Sequence, residues 1–396
     1  MRSGIKLLLL NWFFIFSFFI VPQKSMAGGS GWEDVGSAIN SGIGSFTGIV
    51  FDELTNTPYI AFDRTSDFKL VVMKLVGNDW VNVGTPGFTN NAVNNISLVL
   101  NPETKEPYVA FSQSGDLGIS VMKFDGSSWI FVGNENFFSG PGSGGAGPSI
   151  AFDLALNEPY ISFKDTNNSG KLSVMKFNGS NWSIVGSAGV SSGAIDYSKI
   201  VFNPSDNKPY VAFRDEANFG KITVMNFNGS SWVNIGNAGF SDGSSFDIAL
   251  AFNPLTHNPC VGYYSTLGSV MCFNGDTWNY VGSQGFLDGG INGVQNTQIA
   301  FNLITNELYV TYTEGTVGLS VKKFDGIDWV FVGSEHFTPG EADFVSFAFD
   351  ASGSVPYVFF KGVYINGGEV YRPIIMKLAL LDDFVAPSAP LGLGVI

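Results

Sequence analysis

Short apolar runs alternate with clusters of Gly, Asn, Asp, Ser and Pro along almost the whole chain, a pattern that predicts strands joined by tight turns. Four signatures recur in fixed order. One is Trp-x-x-Val/Ile-Gly, beginning at Trp32, Trp80, Trp129, Trp182, Trp232, Trp278 and Trp329. The next is an apolar run ending in Asp or Asn, such as Ile150-Ala-Phe-Asp153. The third is Pro-Tyr-Val-Ala-Phe and its variants, at Pro58, Pro107, Pro159, Pro209, Pro259, Leu308 and Pro356. The last is Val-Met-Lys-Phe and its variants, as at Val121, Val174, Val224 and Val321. A repeat of roughly fifty residues follows, and a fixed period of that size marks a repeat architecture.

Each unit supplies four strands, named here a (the run ending in Asp or Asn), b (Pro-Tyr-Val), c (Val-Met-Lys) and d (Trp). The a–b connection is rich in turn formers. The c–d connection often carries Asn-Gly, as at Asn178-Gly179, Asn228-Gly229 and Asn274-Gly275, which predicts hairpin turns with φ > 0 at both residues. A four-stranded meander of this size is one blade of a β-propeller. The chain opens on a lone d strand at Trp32 and closes on a, b and c strands near Phe347, Tyr357 and Ile375. The fold predicted is therefore all-β, a seven-bladed β-propeller of four-stranded antiparallel blades. The N-terminal d strand completes the last blade, closing the ring without an open sheet edge. The seven Trp side chains read as packing between blades.

Composition narrows the class. Apolar residues make up 45% of the 396 and charged ones only 14%, which excludes a disordered chain. A net charge of −14 with no basic patch argues against a nucleic-acid partner. Residues 1–27 read as a signal peptide: Arg2 and Lys6, an apolar run from Leu7 to Val21, then Ser25-Met26-Ala27 before the cut. The alternative, an uncleaved anchor, needs about 20 apolar residues, more than this run supplies. No membrane span is expected after signal removal. The expected localisation is secreted or cell-surface, with the propeller at 28–381 and a monomeric state. Residues 382–396 read as a linker, or as the start of a further domain resembling the entry strand of fibronectin type III. Cys260 and Cys272 fall on the two strands of one predicted hairpin. They read as a cross-strand disulfide, with two buried free thiols as the other reading.

Candidate chemistry lies where the repeats differ. In a propeller the b–c and d–a connections share the usual ligand face. The two residues closing strand b vary there, as Asp63-Arg64, Ser112-Gln113, Lys164-Asp165, Arg214-Asp215, Tyr264-Ser265, Thr313-Glu314 and Lys361-Gly362. Asp63, Arg64, Lys164, Asp165, Arg214, Asp215 and Glu314 are the candidate binding residues, with solvated loop charges as the alternative. His257 and His336 fall on opposite ends, which argues against a His-based metal site or a Ser–His pair, and no catalytic residue is assigned. Ser191 and Ser241 match a G-x-S-x-G pattern by letter, but lack its strand–turn–helix context and read as turn residues. Residues 165–170 offer oxygen ligands without the spacing of a known calcium loop, so calcium is a minor alternative and no cofactor is expected.

The c–d segments Phe124-Asp-Gly-Ser-Ser-Trp129 and Phe273-Asn-Gly-Asp-Thr-Trp278 distantly resemble the Asp-box (BNR) hairpin of sialidases, with the Asp one place late. The period is also similar to kelch repeats, without the kelch Gly-Gly doublet. The nearer resemblance is to uncharacterised propeller repeats of bacterial secreted and surface proteins. The sialidase likeness implies three Arg around a carboxylate. Here Arg64, Arg214 and Arg372 are placed in b–c connections of blades 1, 4 and 7, too scattered to converge. The first functional reading is a non-enzymatic adhesion or binding module for an extracellular glycan or protein. The alternatives are a glycoside hydrolase or lyase using paired carboxylates from Asp63, Asp165, Asp215 and Glu314, and a structural spacer.

Overall fold

A computed structural model describes residues 31–379, apart from 116, 141–146, 266, 288–293, 316, 339 and 366–368. The expected signal peptide and the tail from 382 lie outside the described residues. No helix among the described residues is long and apolar enough to cross a membrane. Seven four-stranded antiparallel sheets form the blades, each ordered a-b-c-d. The innermost strands are Ile43–Asp52, Val93–Leu100, Ser149–Asp153, Ile195–Phe202, Phe246–Phe252, Val294–Phe301 and Ala342–Phe349. Each touches its neighbours in the adjacent blades, around the full circle. In blade 7 the d strand is Trp32–Asp34, paired antiparallel to Glu369–Leu378 with Trp32 opposite Leu378. The ring closes between its two ends as the order of signatures predicts.

The Trp motif explains why neighbouring blades stay in register. The Trp80 indole N–H donates to Val35 O at 2.8 Å, Trp129 to Val83 O at 2.7 Å and Trp182 to Val132 O at 2.7 Å. Trp232, Trp278 and Trp329 reach Val185, Ile235 and Val281 in the same way, and Trp32 reaches Val332. Every acceptor is the residue three places after the preceding Trp, so one motif supplies both the donor and the acceptor of each joint. The Gly that follows has φ > 0, and a Cβ at Gly84 would lie 2.8 Å from Phe124 and 3.0 Å from Trp129. The indole face is covered as well: Trp129 stacks on Phe88 and Trp278 on Phe240, each with ring centroids 4.1 Å apart.

The core lies between blades rather than within one. Each buried cluster mixes two sheets, as where Ile43, Ile60 and Phe62 of blade 1 meet Phe359 and Ile375 of blade 7. The strand-b Tyr stands edge-on to the strand-a Phe of the next blade, at 5.0 Å for Tyr108–Phe152, Tyr160–Phe202 and Tyr210–Phe252. Tyr also faces a Lys across the b–c pair, as Tyr108 faces Lys123 and Tyr160 faces Lys176. In blade 5 the same two positions hold Cys260 and Cys272, directly opposed and disulfide-bonded with Cα atoms 4.0 Å apart.

The c–d turns differ from the two-residue form expected. Phe124 pairs with Trp129, leaving a four-residue loop in which only Gly126 has positive φ. The first residue keeps negative φ because its side chain caps the loop. Asp125 Oδ1 accepts the N–H groups of Ser127 and Ser128, and Asn178 and Asn228 do the same in their blades.

Candidate functional site

The strand-b residues singled out above do not act as adjacent pairs. Successive side chains on a strand point to opposite faces, which separates each acid from its basic neighbour. Asp165 and Asp215 turn toward their own blades. Asp165 caps a single 3₁₀ turn and takes bonds from Asn168 and Ser173; Asp215 takes them from Ala217, Asn218 and Thr223. The 165–170 segment thus spends its carboxylate on internal donors. Arg64 is tied to Asp67 within its own b–c connection, by bonds of 2.7 and 2.6 Å. Glu314 is buried against His336. Arg372 lies within strand c of blade 7, Glu369–Leu378, rather than in a b–c loop.

Asp63 holds backbone. Its Oδ1 accepts the N–H groups of Ser45 and Phe46 at 2.8 and 2.9 Å, while Oδ2 is buried without a partner. Burial raises its carboxyl above the usual range, and the two N–H groups and Lys361 oppose that only in part. The neighbouring Gly44 is required, because a Cβ there would sit 1.9 Å from Asp63 Oδ2.

Ser45 and Phe46 belong to an irregularity repeated around the channel. Strand a slips in register against strand b between Ile43 and Thr47, Asn94 and Ser97, Asp196 and Lys199, Phe246 and Ala249, Gln295 and Gln298, and Asp343 and Ser346. In five of these bulges a non-glycine residue takes the left-handed conformation: Asn95, Tyr197, Asp247, Asn296 and Phe344, with φ of 51–59°. A bulge re-aims side chains at the end of a strand. Here it places Phe46, Asn95, Tyr197, Asp247 and Phe344 around a cavity of about 520 Å³ at the channel end on the b–c and d–a face.

Charge enters this mouth from one side. Lys164 of blade 3 and Arg214 of blade 4 both meet Asp196, at 2.7 and 3.4 Å. Arg214 also contacts Glu216 at 2.6 Å, and its guanidinium lies 4.8 Å from the Phe246 ring centre. Tyr197 stands edge-on to that ring at 6.1 Å. Burial raises the Tyr197 hydroxyl, helped by Asp247 and Asp196, and burial also raises the Asp247 carboxyl, which accepts the Asn296 N–H. Lys199 lines the same cavity, and burial lowers its ammonium. Of the strand-b candidates, Lys164 and Arg214 reach the cavity, and none of Asp63, Asp165, Asp215 and Glu314 lines it. Asp196, Tyr197, Asp247 and Phe344 were not singled out in the sequence. Their signal is a polar or aromatic residue that varies between repeats just before the apolar part of strand a.

The two Ser residues of the G-x-S-x-G segments are turn staples. Ser191 Oγ accepts the Leu172 N–H and donates to Gly193 O; Ser241 does the same with Ile222 and Gly243. Thr338 repeats the arrangement with Leu319 and Gly340.

No protein-family model matches the chain, and no curated protein matches its sequence. Solved structures do resemble it. The extracellular domain assigned to the one-component system BT4673 of B. thetaiotaomicron aligns at 11% identity and a TM-score of 0.54, over 88% of this chain and 40% of that one. A puromycin-hydrolyzing peptidase of Mycobacterium tuberculosis aligns at 9% and 0.54, over 85% of this chain and 54% of its own. A fungal lectin from Aleuria aurantia, described as a six-bladed β-propeller with a fucose recognition mode, aligns at 13% and 0.48, over 76% of this chain and 99% of that one. Such identities concern fold alone. The chain is a seven-bladed β-propeller, built from an internal repeat and closed through its N-terminal strand.

Proposed function

We propose that the chain is an exported, non-enzymatic binding module that holds a glycan in the mouth of its channel. The observation that supports this reading is the ring of bulge residues around the 520 Å³ cavity. It mixes aromatic surface from Phe46, Tyr197 and Phe344 with the charged group of Lys164, Asp196 and Arg214. Aromatic faces suit the apolar faces of sugars, and a few placed polar groups suit their hydroxyls. The charged groups cluster at blades 3 to 5 instead of repeating around the ring, which favours one asymmetric site over seven equal ones. Export fits the leader read in the sequence, and the Cys260–Cys272 bond fits an oxidising compartment. A glycan array with the purified full chain tests the reading: reproducible binding supports it, and no binding to any glycan refutes it.

One observation favours a hydrolase or lyase as the second reading. Asp196 and Asp247 both line the cavity, and burial raises the Asp247 carboxyl, as a general acid requires. Release of reducing ends from a bound glycan, abolished by Asp247→Asn, would establish that reading in place of the first.

A further inference from the structure

Blades 2 and 6 build the same small structure at the same place, with different donor atoms. In blade 2, at the end of strand b, the Gln113 amide donates to Glu135 Oε1 at 3.0 Å. The next residue, Asn136, has φ 52° and donates its backbone N–H to Ser120 Oγ at 2.9 Å. In blade 6 the corresponding residues are Glu314, Glu335 and His336. The backbone is kept: His336 has φ 46° and donates its N–H to Ser320 Oγ at 2.9 Å. Only the amides have changed, one into a carboxylate and one into an imidazole.

That exchange reverses the electrostatics. In blade 2 one carboxylate, Glu135, is surrounded by amide donors from Gln113 and Asn90. In blade 6 two carboxylates converge on one imidazole. His336 Nε2 lies 2.7 Å from Glu314 Oε2, and one ligand atom from each of Glu314, Glu335 and His336 falls within 4.8 Å of the others. Glu314 is only 4% exposed. Glu335 has no hydrogen bond or ion pair with any described residue to offset its charge. Two negative groups brought together, one of them buried, are stabilised by a positive ion between them.

We propose that Glu314, Glu335 and His336 form a binding site for a divalent transition cation of the Zn²⁺ class. An imidazole with two carboxylates is a borderline N/O donor set suited to Zn²⁺, and three protein ligands leave a fourth position for water. Ca²⁺ takes roughly six to eight oxygens, so this set is a poor match for it. Ligand atoms on a tetrahedral Zn²⁺ sit about 3.3 Å apart. The His336–Glu314 contact opens slightly to admit the ion, and the exposed Glu335 side chain swings in. The ion would then clamp the d–a connection to the end of strand b, on the face that carries the channel mouth.

Titration calorimetry of the purified full chain with ZnCl₂, and separately with CaCl₂, tests the site. One equivalent of Zn²⁺ is expected, bound in preference to Ca²⁺. The double variant Glu314→Gln/His336→Asn installs the residues blade 2 already uses, and should lose at least about tenfold in affinity. The single variant Glu335→Gln, at an exposed position, should lose a similar factor and keeps the test valid should the double variant not fold. Absence of Zn²⁺ binding, affinity unchanged in Glu335→Gln, or equal affinity for Ca²⁺ would each overturn the proposal.

Discussion

The indole N–H of Trp32 donates to the carbonyl of Val332 at 2.8 Å, across 300 residues of chain. The same joint holds every other pair of adjacent blades, but there the two residues lie closer in sequence, as the 47 residues between Val185 and Trp232 show. Among the seven Trp joints, that of Trp32 alone spans most of the described chain. Trp32→Phe keeps an aromatic ring and strands the Val332 carbonyl, at a cost of about 1–3 kcal/mol. Trp32→Ala also leaves a cavity and should cost about 3–5 kcal/mol. Denaturant midpoints of the two variants check the order and the size.

The disulfide of blade 5 replaces a packing pair used elsewhere. Cys260→Ala/Cys272→Ala should cost about 2–4 kcal/mol under oxidising conditions. Cys260→Tyr/Cys272→Lys restores the pair found in blades 2 and 3, where the Tyr stands edge-on to the next blade's Phe. It should recover part of that loss, since Phe301 waits at the corresponding place in blade 6. Thermal unfolding of the two double variants gives the comparison.

The channel mouth carries a pH signature. Burial raises the Asp247 carboxyl, so above the unfolded value the folded chain binds more protons than the unfolded one. Its contribution to stability is therefore largest below about pH 4 and falls as the pH rises through the raised folded value. Asp247→Asn removes that titration. The variant should equal or exceed the wild type in stability at about pH 7, with the difference closing toward about pH 4. Denaturant midpoints across that range measure it. Lys199, lowered by burial, has the opposite sign: its contribution grows as the pH rises toward the unfolded lysine value.

The blades were legible in the sequence because the same physics is written seven times. A Trp whose acceptor is the backbone of the preceding copy recurs with the period, and so does the Gly that must make room for it. Ring closure was legible from order alone. The c–d turns are not legible from Asn-Gly alone, because the Asn178 side chain caps the N–H groups of Ser180 and Asn181 and so sets a longer loop. The site was only half legible. Lys164 and Arg214 stood out as charges where the repeats vary, but their shared partner Asp196 lies on strand a of blade 4 and is turned toward them by a bulge. Nothing local in Asp196-Tyr197 announces that bulge. Five blades hold it with side chains as different as Asn, Tyr, Asp and Phe, so the register of the whole blade imposes it.

Glycan binding by wild type, Arg214→Ala and Arg64→Ala on one array measures the central claim most directly. Arg214 lines the channel mouth beside Asp196, whereas Arg64 is held by Asp67 away from it. The account predicts that wild type and Arg64→Ala bind the same glycan and that Arg214→Ala loses at least about tenfold, or about 1.4 kcal/mol. Binding that survives Arg214→Ala but disappears in Arg64→Ala, with both variants folded, would contradict it.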